Sequence, residues 1–110
     1  KEVSVMEQLA KMNKQELEEK LAKGKYVLFF TAGWCPDCRF IKPAMPEIEE
    51  EFSDFNFIQV DRDENIDLCQ ELDVYGIPSF IVYEDGKEVD RFVNKDRKTK
   101  KEVENFLKAI

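Results

Sequence analysis

The sequence predicts an α/β fold in which helices flank a central mixed β-sheet. Three features predict this class: an apolar run followed directly by a helical pattern, a second strand-like stretch after that helix, and a hairpin signal further along the chain. A strand–helix–strand order makes the first two strands parallel, and the hairpin adds antiparallel pairing. The predicted strands span residues 26–31, 55–61, 79–84 and 87–93. A chain of 110 residues supports one core, so residues 1–110 are expected to form a single domain.

Residues 1–24 are predicted to be helical, because apolar residues recur at spacings of three and four. Those apolar positions are Val5, Leu9 and Met12. Asn13 and Glu16 have the spacing of a capping box and begin a second helical piece, which Gly24 ends. The alternative for the first residues is a short strand over residues 2–5.

Three further helices are predicted. The first covers residues 36–52, with a kink at Pro43, since proline has no N–H for the helical ladder. Its buried stripe is expected to contain Phe40, Ile41, Ala44, Met45, Ile48 and Phe52. A short helix follows over residues 65–72, and the last one begins near Thr99, where Glu102 completes a capping box.

The stretch from Trp34 to Cys38 is expected to carry the chemistry. Cys35 and Cys38 lie three positions apart at a helix start, so they face the same side and can close a disulfide. Cys35 takes the N-cap position, where backbone N–H groups favour its thiolate form, and Pro36 suits the first helical position. We therefore expect Cys35 to be the nucleophile of thiol–disulfide exchange and Cys38 to be the more buried, resolving thiol. An inert structural disulfide is the alternative.

Composition argues against several other functions. The chain has 24 acidic and 17 basic residues and a net charge of −7, which argues against a nucleic-acid surface. It has no histidine, so it lacks a catalytic Cys–His pair. Zinc needs about four ligands, and only Cys69 remains beyond the pair, so no metal site is expected. Cys69 is expected in the core, with a regulatory thiol as the alternative. The basic run over residues 95–101 is expected to be solvated surface, with docking of an acidic partner as the alternative.

From about Tyr26 to Ile110 the chain resembles the thioredoxin family. The matching motifs are Trp34-Cys35-x-x-Cys38, Pro43 and Gly76-Ile77-Pro78-Ser79-Phe80. The WCPDC centre is similar to that of thioredoxin-related proteins with the same five residues, rather than to the Gly-Pro centre of ordinary thioredoxins. The resemblance implies a thioredoxin fold and a dithiol–disulfide oxidoreductase that reduces protein or small-molecule disulfides.

The resemblance also assigns site residues beyond the cysteines. Pro78 matches the proline that the family holds in the cis form opposite the disulfide, which leaves the Ile77 backbone open to an extended substrate segment. The implied substrate-binding residues are Trp34, Gly76, Ile77 and Pro78, and Pro36 and Asp37 support the cysteines. An ordinary trans turn is the alternative for Pro78, and core packing is the alternative for Trp34.

Three positions depart from the family pattern. Phe29 stands where thioredoxins carry a buried aspartate that accepts the proton of the resolving cysteine, and Gln59 replaces its lysine partner. Asn94 replaces a glycine that lets substrates approach, which predicts a narrower substrate range. We hypothesise that Asp37 partly substitutes as the proton acceptor of Cys38. The alternative is ordinary stabilisation of the first helical turn by an acidic residue.

The resemblance further implies how the protein is recharged and where it works. No tightly bound cofactor is expected, because the redox-active Cys35–Cys38 disulfide carries the electrons. The expected partners are disulfide-containing proteins, small disulfides such as cystine, and an NADPH-dependent thioredoxin reductase. A cytoplasmic monomer without membrane attachment is expected; an exported form stays open, since a chain that starts at Lys1 leaves room for a removed leader. The alternative functions are an exported disulfide oxidant or isomerase and a non-catalytic thioredoxin-like binding module.

Overall fold

Five strands form one mixed sheet in the computed structural model, which describes residues 6–110. The strands are β1 (Glu7–Gln8), β2 (Lys25–Thr31), β3 (Asn56–Asp61), β4 (Ser79–Glu84) and β5 (Lys87–Phe92). Their order across the sheet is β1-β3-β2-β4-β5. β3 runs parallel to both β1 and β2, whereas β4 is antiparallel to β2 and to β5. The predicted mixed sheet and C-terminal hairpin are therefore confirmed.

Five α-helices accompany these strands in the described part of the chain. They are α1 (Lys14–Lys20), α2 (Pro36–Ile41), α3 (Met45–Glu51), α4 (Ile66–Glu71) and α5 (Lys100–Lys108). A 3₁₀ turn over Lys42–Ala44 separates α2 from α3, and it contains Pro43, so the predicted interruption of the long helix is confirmed. Both predicted capping boxes are present, Asn13 with Glu16 and Thr99 with Glu102.

Each face of the sheet is covered by its own buried cluster. The four residues Val27 to Phe30 of β2 are fully buried, as a central strand requires. Leu28 and Phe30 pack in a cluster with residues of α1 and α4, whereas Val27 and Phe29 pack in a cluster with residues of α2, α3 and α5. Both cysteines of the motif belong to the first cluster, at the end of β2 where the chain enters α2.

The predicted helix over residues 1–24 is wrong for its first described part. Glu7 and Gln8 form β1, and the Leu9 N–H donates a hydrogen bond to the Gln59 carbonyl at 2.9 Å. The Leu9 side chain is buried in the cluster that contains residues of β3, and Met12 packs against the same cluster. The three-residue spacing of these two apolar side chains therefore does not mark one face of a helix. Val5 and the alternative strand over residues 2–5 lie outside the described residues.

One member of the predicted buried stripe is exposed. Ile41, Met45 and Ile48 are buried along one line, but 48% of the Phe40 surface is accessible to solvent. Phe40 precedes Ile41 by one residue, a rotation of about 100° around the helix, which turns its ring away from the sheet. The Arg97 guanidinium lies 4.4 Å from the centre of that ring, on the outside of the domain.

Candidate active site

Cys35 occupies the N-cap position of α2, as the sequence predicts. Its backbone is extended, and its sulfur accepts a hydrogen bond from the Cys38 N–H at 3.2 Å. Pro36 follows in the first helical turn. Both cysteines are free thiols. The turn between β2 and α2 therefore holds the two sulfur-bearing residues together at the start of a helix.

The two thiols differ in access to solvent. Cys38 is 1% exposed and Cys35 is 4% exposed, so Cys35 is the more accessible of a largely buried pair. Trp34, directly before it, is 58% exposed, and its indole N–H donates a hydrogen bond to Asp63 at 2.8 Å. The expectation that Trp34 is exposed is therefore confirmed, and the core-packing alternative is wrong.

Burial changes the acidity of Cys38. It raises the pKa of the Cys38 thiol to about 11, and a hydrogen bond with the Cys35 sulfur acts in the same direction. The Thr31 hydroxyl and the Ala32 backbone oppose this rise in pKa. Cys38 is thus held as a neutral thiol near neutral pH, and it must lose a proton before it can attack a disulfide.

The segment before β4 lies in the same buried cluster as the cysteines. The Ile77–Pro78 peptide is cis, as the family resemblance implies, so the trans alternative is wrong, and Ile77 packs in the cluster that contains Cys35 and Cys38. Neither backbone group of Ile77 takes part in the turn, loop and cap hydrogen bonds found among residues 6–110. The Ser79 hydroxyl donates to the Gly76 carbonyl at 2.6 Å and anchors the start of this segment.

Gly76 is closely packed against the chain that follows β5. A Cβ atom at this position would lie 2.5 Å from the Asn94 carbonyl carbon and 2.5 Å from the Lys95 nitrogen. These neighbours are backbone atoms and cannot turn aside as a flexible side chain can. Only glycine allows this approach, so Gly76 fixes the Ile77–Pro78 segment against the Asn94 peptide.

Known proteins share this arrangement. The model of the Thioredoxin family matches residues 8–109. The chain belongs to the thioredoxin family. It is accordingly a thiol–disulfide oxidoreductase with a Cys-x-x-Cys centre and acts as a disulfide reductase. Thioredoxins carry electrons on this cysteine pair and need no tightly bound cofactor. The exported oxidant and the non-catalytic binding module are not favoured.

Individual relatives cover most of the chain. The H-type thioredoxin of Fagopyrum esculentum is 39% identical over 84 residues, which span 72% of this chain and 72% of that protein. The H-type thioredoxin of Oryza sativa subsp. indica is 35% identical over 86 residues, with 74% and 70% covered. The match to Thioredoxin-2 of Pyricularia oryzae spans 48% of that protein. The solved structure of Fasciola hepatica thioredoxin superposes with a TM-score of 0.78 at 31% identity, covering 94% of this chain and 98% of that one.

The position of the family's buried aspartate is filled by an aromatic pair in this thioredoxin. Phe29 is fully buried, and its ring stacks on that of Phe80 at 5.1 Å between centroids. Gln59, which replaces the family's lysine, is the partner of Phe29 in the register of β2 and β3. The core at this point is apolar, so Cys38 has no carboxylate from position 29 to accept its proton.

Asp37 lies beside the cysteines but is paired with another residue. Its carboxylate forms an ion pair with the Arg97 guanidinium at 3.1 Å, and both side chains are partly exposed. Sequence reasoning did not identify Arg97, because 60 positions separate the two residues and no local pattern links them. The pair connects the first turn of α2 to the loop before α5, and the relay role of Asp37 stays a hypothesis.

A cavity borders Cys38. Its volume is about 310 Å³, and its lining includes Thr31, Cys38, Lys42, Gln59 and Asp61. A space of this size, with polar side chains in its lining, has room for water molecules next to Cys38.

Lys98 corrects the expectation for the basic run over residues 95–101. Its neighbours in the run are exposed, but Lys98 itself is 1% exposed.

Cys69 is buried as predicted, and burial raises the pKa of its thiol to about 11. Residues 6–110 contain no group of three or more cysteine or acidic side chains arranged to hold a metal ion. None of the helices in that range has the length and apolar character that crossing a membrane requires.

Proposed function

We propose that this thioredoxin reduces disulfides with Cys35 as the attacking thiolate and Cys38 as the resolving thiol. The observation that carries this assignment is the N-cap geometry: the Cys35 sulfur accepts the Cys38 N–H at 3.2 Å and is the more exposed of the two. A helix start stabilises negative charge on the first sulfur, whereas burial keeps the second one protonated. The two cysteines are thereby suited to different steps.

The reaction runs through one mixed disulfide. The Cys35 thiolate attacks one sulfur of the substrate disulfide, the substrate S–S bond breaks, and the other substrate sulfur leaves as a thiolate. Cys38 then loses its proton and attacks the Cys35 sulfur. This step forms the Cys35–Cys38 disulfide and releases the second substrate thiolate. Two electrons pass to the substrate, and its thiolates take up two protons.

The surrounding residues are proposed to bind the substrate. Trp34 offers an exposed aromatic face beside Cys35, and exposed aromatic residues often anchor contacts. Ile77 has backbone groups outside the internal hydrogen bonds of its loop, which suits pairing with an extended segment. Gly76 and Pro78 hold that segment in place, while Pro36 and Asp37 support the turn that carries the cysteines.

The proposed partners follow from the need to restore the dithiol. Substrates are disulfide-containing proteins or small disulfides, and an NADPH-dependent thioredoxin reductase returns the protein to its reduced form. We place this cycle in the cytoplasm, where a reducing environment keeps such a dithiol in its reduced form. We also propose that the protein acts as a monomer.

Insulin reduction driven by dithiothreitol tests the assignment. The wild type is expected to turn over many times, and Cys35→Ser and Cys38→Ser are each expected to stop catalytic turnover. Cys69→Ser is the matched control, because Cys69 is also a buried thiol but belongs to α4 and not to the Cys-x-x-Cys motif, and it should retain full activity. If the Cys35→Ser variant reduced insulin as fast as the wild type, this result would contradict the proposed role of Cys35.

The reduction potential tests the direction of electron flow. Thioredoxins that act as reductants have potentials of about −270 mV, whereas strong oxidants lie near about −120 mV. We expect a value close to the first figure, together with NADPH-dependent turnover when a thioredoxin reductase is added. A potential near the second figure would assign the protein to the oxidants instead.

A further inference from the structure

Lys98 carries a buried charge that the proposed reaction does not use. It lies between β5 and α5 and is 1% exposed. Its ammonium donates to the Asn94 carbonyl at 3.3 Å, to the Asn94 side-chain oxygen at 2.9 Å and to the Asp96 carbonyl at 2.7 Å. An ammonium has three N–H donors, and here each has an oxygen acceptor. The loop over residues 94–98 is therefore folded around this one group.

The surroundings of Lys98 are suited to its charged form. Burial lowers the pKa of Lys98, whereas Asp96 and Glu102 act in the opposite direction. A neutral amine would have only two N–H donors for the three oxygens, so one acceptor would lose its partner. Buried charges persist in proteins where such hydrogen bonds compensate for lost solvation.

The Asn94 carbonyl connects Lys98 to the proposed substrate-binding segment. The same oxygen also lies 3.2 Å from the Ser79 hydroxyl, which shares its single proton between this acceptor and the nearer Gly76 carbonyl at 2.6 Å. The Asn94 peptide packs so closely on Gly76 that no Cβ atom fits between them. Lys98, Asn94, Ser79 and Gly76 thus form one continuous chain of contacts that ends next to Ile77.

We propose that Lys98 is a positioning residue for substrate binding: its buried ammonium holds the Asn94 peptide against Gly76 and so fixes the Ile77 backbone for pairing with an extended substrate segment. This inference rests on the proposed function, since it concerns how the same reductase binds protein disulfides. Lys98 itself touches neither the substrate nor the sulfur atoms in this account.

The Asn94 side chain fits the same role. Thioredoxins usually have glycine at this position, and a side chain there adds bulk near the substrate. The Asn94 amide oxygen instead accepts from Lys98 and from the Asp96 N–H, at 2.9 Å in each case. The side chain therefore turns back onto its own loop, and Lys98 is one of the two groups that hold it there.

A comparison of two substrates tests this inference. Insulin carries its disulfides on polypeptide chains, whose backbone can pair with Ile77, whereas 2-hydroxyethyl disulfide is small, uncharged and has no backbone to pair. For Lys98→Met we expect the KM for insulin to rise about tenfold, because charge-assisted hydrogen bonds that order the binding edge are lost. The rate constant for oxidation of the pre-reduced variant by 2-hydroxyethyl disulfide should stay within about twofold of the wild-type value.

Lys101→Met is the matched control, since it removes the same charge from an exposed position in α5. It is expected to behave as the wild type with both substrates. An insulin KM for Lys98→Met within about twofold of the wild-type value would overturn the inference. Equal losses with both disulfides would also overturn it, because they would place the effect on the dithiol. A wild type that reduces neither substrate would contradict the proposed function itself.

Ser79→Ala provides a second variant if Lys98→Met does not fold, as judged by circular dichroism. It removes the other donor to the Asn94 carbonyl and leaves the buried charge in place. For Ser79→Ala we also expect the two substrates to respond differently, with a raised KM for insulin and an unchanged rate constant with 2-hydroxyethyl disulfide. A Ser79→Ala variant with an unchanged KM for insulin would overturn the inference as well.

Discussion

Cys35 and Cys38 have the same side chain but different surroundings. Cys35 receives a backbone N–H at the start of α2 and has the larger exposed surface. Cys38 lies one turn further along the helix, where burial and the neighbouring sulfur raise the pKa of its thiol to about 11. The proposed division between attack by Cys35 and resolution by Cys38 therefore rests on the position of each residue relative to the start of α2.

Selective alkylation tests this difference directly. Iodoacetamide reacts with thiolates, and a thiol with a pKa of about 11 is ionised in about one molecule per thousand at pH 8. We expect peptide mapping of the native, reduced protein to find label on Cys35, with Cys38 and Cys69 labelled only after unfolding. Labelling of Cys69 or Cys38 as fast as Cys35 would contradict the proposed assignment.

Asp37 is the acidic residue of the motif that could replace the missing buried carboxylate. If it relays the proton of Cys38, Asp37→Ala should slow decay of the mixed disulfide about tenfold near pH 7, with the rates converging at alkaline pH. Rapid-quench measurements across a pH series would show this. Arg97→Ala is the control, because it removes the ion-pair partner and keeps the carboxylate. Unchanged rates and an unchanged pH profile for Asp37→Ala would rule the hypothesis out.

At the scale of elements, the site depends on two segments that meet beside the sheet. The turn from β2 to α2 supplies the cysteines, and the segment before β4 supplies Ile77 and Pro78. Their order along the chain is visible in the sequence, because each segment directly follows or precedes an apolar strand. The contact between Gly76 and the chain after β5 cannot be read from the sequence, because Gly76 and Asn94 are 18 positions apart and meet through backbone atoms.

A pair of glycine substitutions tests this contact. Gly76→Ala should lower the free energy of unfolding by about 1–3 kcal/mol, because the new Cβ atom would overlap the Asn94 and Lys95 backbone. Gly33→Ala is the matched control in the neighbouring turn, where nothing lies within 4 Å of the added atom, and it should change stability by less than about 0.5 kcal/mol. Urea denaturation of both variants gives the comparison. Equal stabilities for Gly76→Ala and the wild type would show that the contact is looser than described.

Several elements could be predicted from local pattern, and others could not. β2, β4 and the hairpin turn follow from apolar runs and Asp85-Gly86, and the capping boxes mark the starts of α1 and α5. β1 has only two residues, and its identity depends on the bond from Leu9 to Gln59 of a distant strand. Lys98 is missed for a different reason: its ammonium is bound by carbonyl groups of its own folded loop, and composition alone assigns a lysine-rich run to the surface.

At the scale of the whole molecule, buried ionisable groups link stability to pH. Burial raises the pKa of Cys69 from 9.0 to about 11, so the folded state holds this proton more tightly than the unfolded state does. The resulting stabilisation is fully present below pH 9 and is lost as the pH rises toward 11. Cys38 acts in the same direction. The reduced protein should therefore lose stability in this alkaline range.

Urea denaturation of the reduced protein at pH 8 and pH 11 measures this loss. We expect the decline for Cys69→Ala to be smaller than that of the wild type by about 2 kcal/mol, the contribution of one thiol with this shift in pKa. Other alkaline titrations contribute equally to both proteins and cancel in the difference. Identical declines would show that Cys69 ionises as readily in the folded state as in the unfolded one.

The central claim is that Cys35 makes the covalent bond to the substrate and Cys38 breaks it. Trapping the intermediate tests it most directly: Cys38→Ser is incubated with oxidised insulin, quenched with acid and mapped by mass spectrometry. We expect a stable mixed disulfide between Cys35 and an insulin cysteine, and none when Cys35→Ser is treated in the same way. A stable adduct on Cys38 in the Cys35→Ser variant, or an adduct on Cys69, would contradict it.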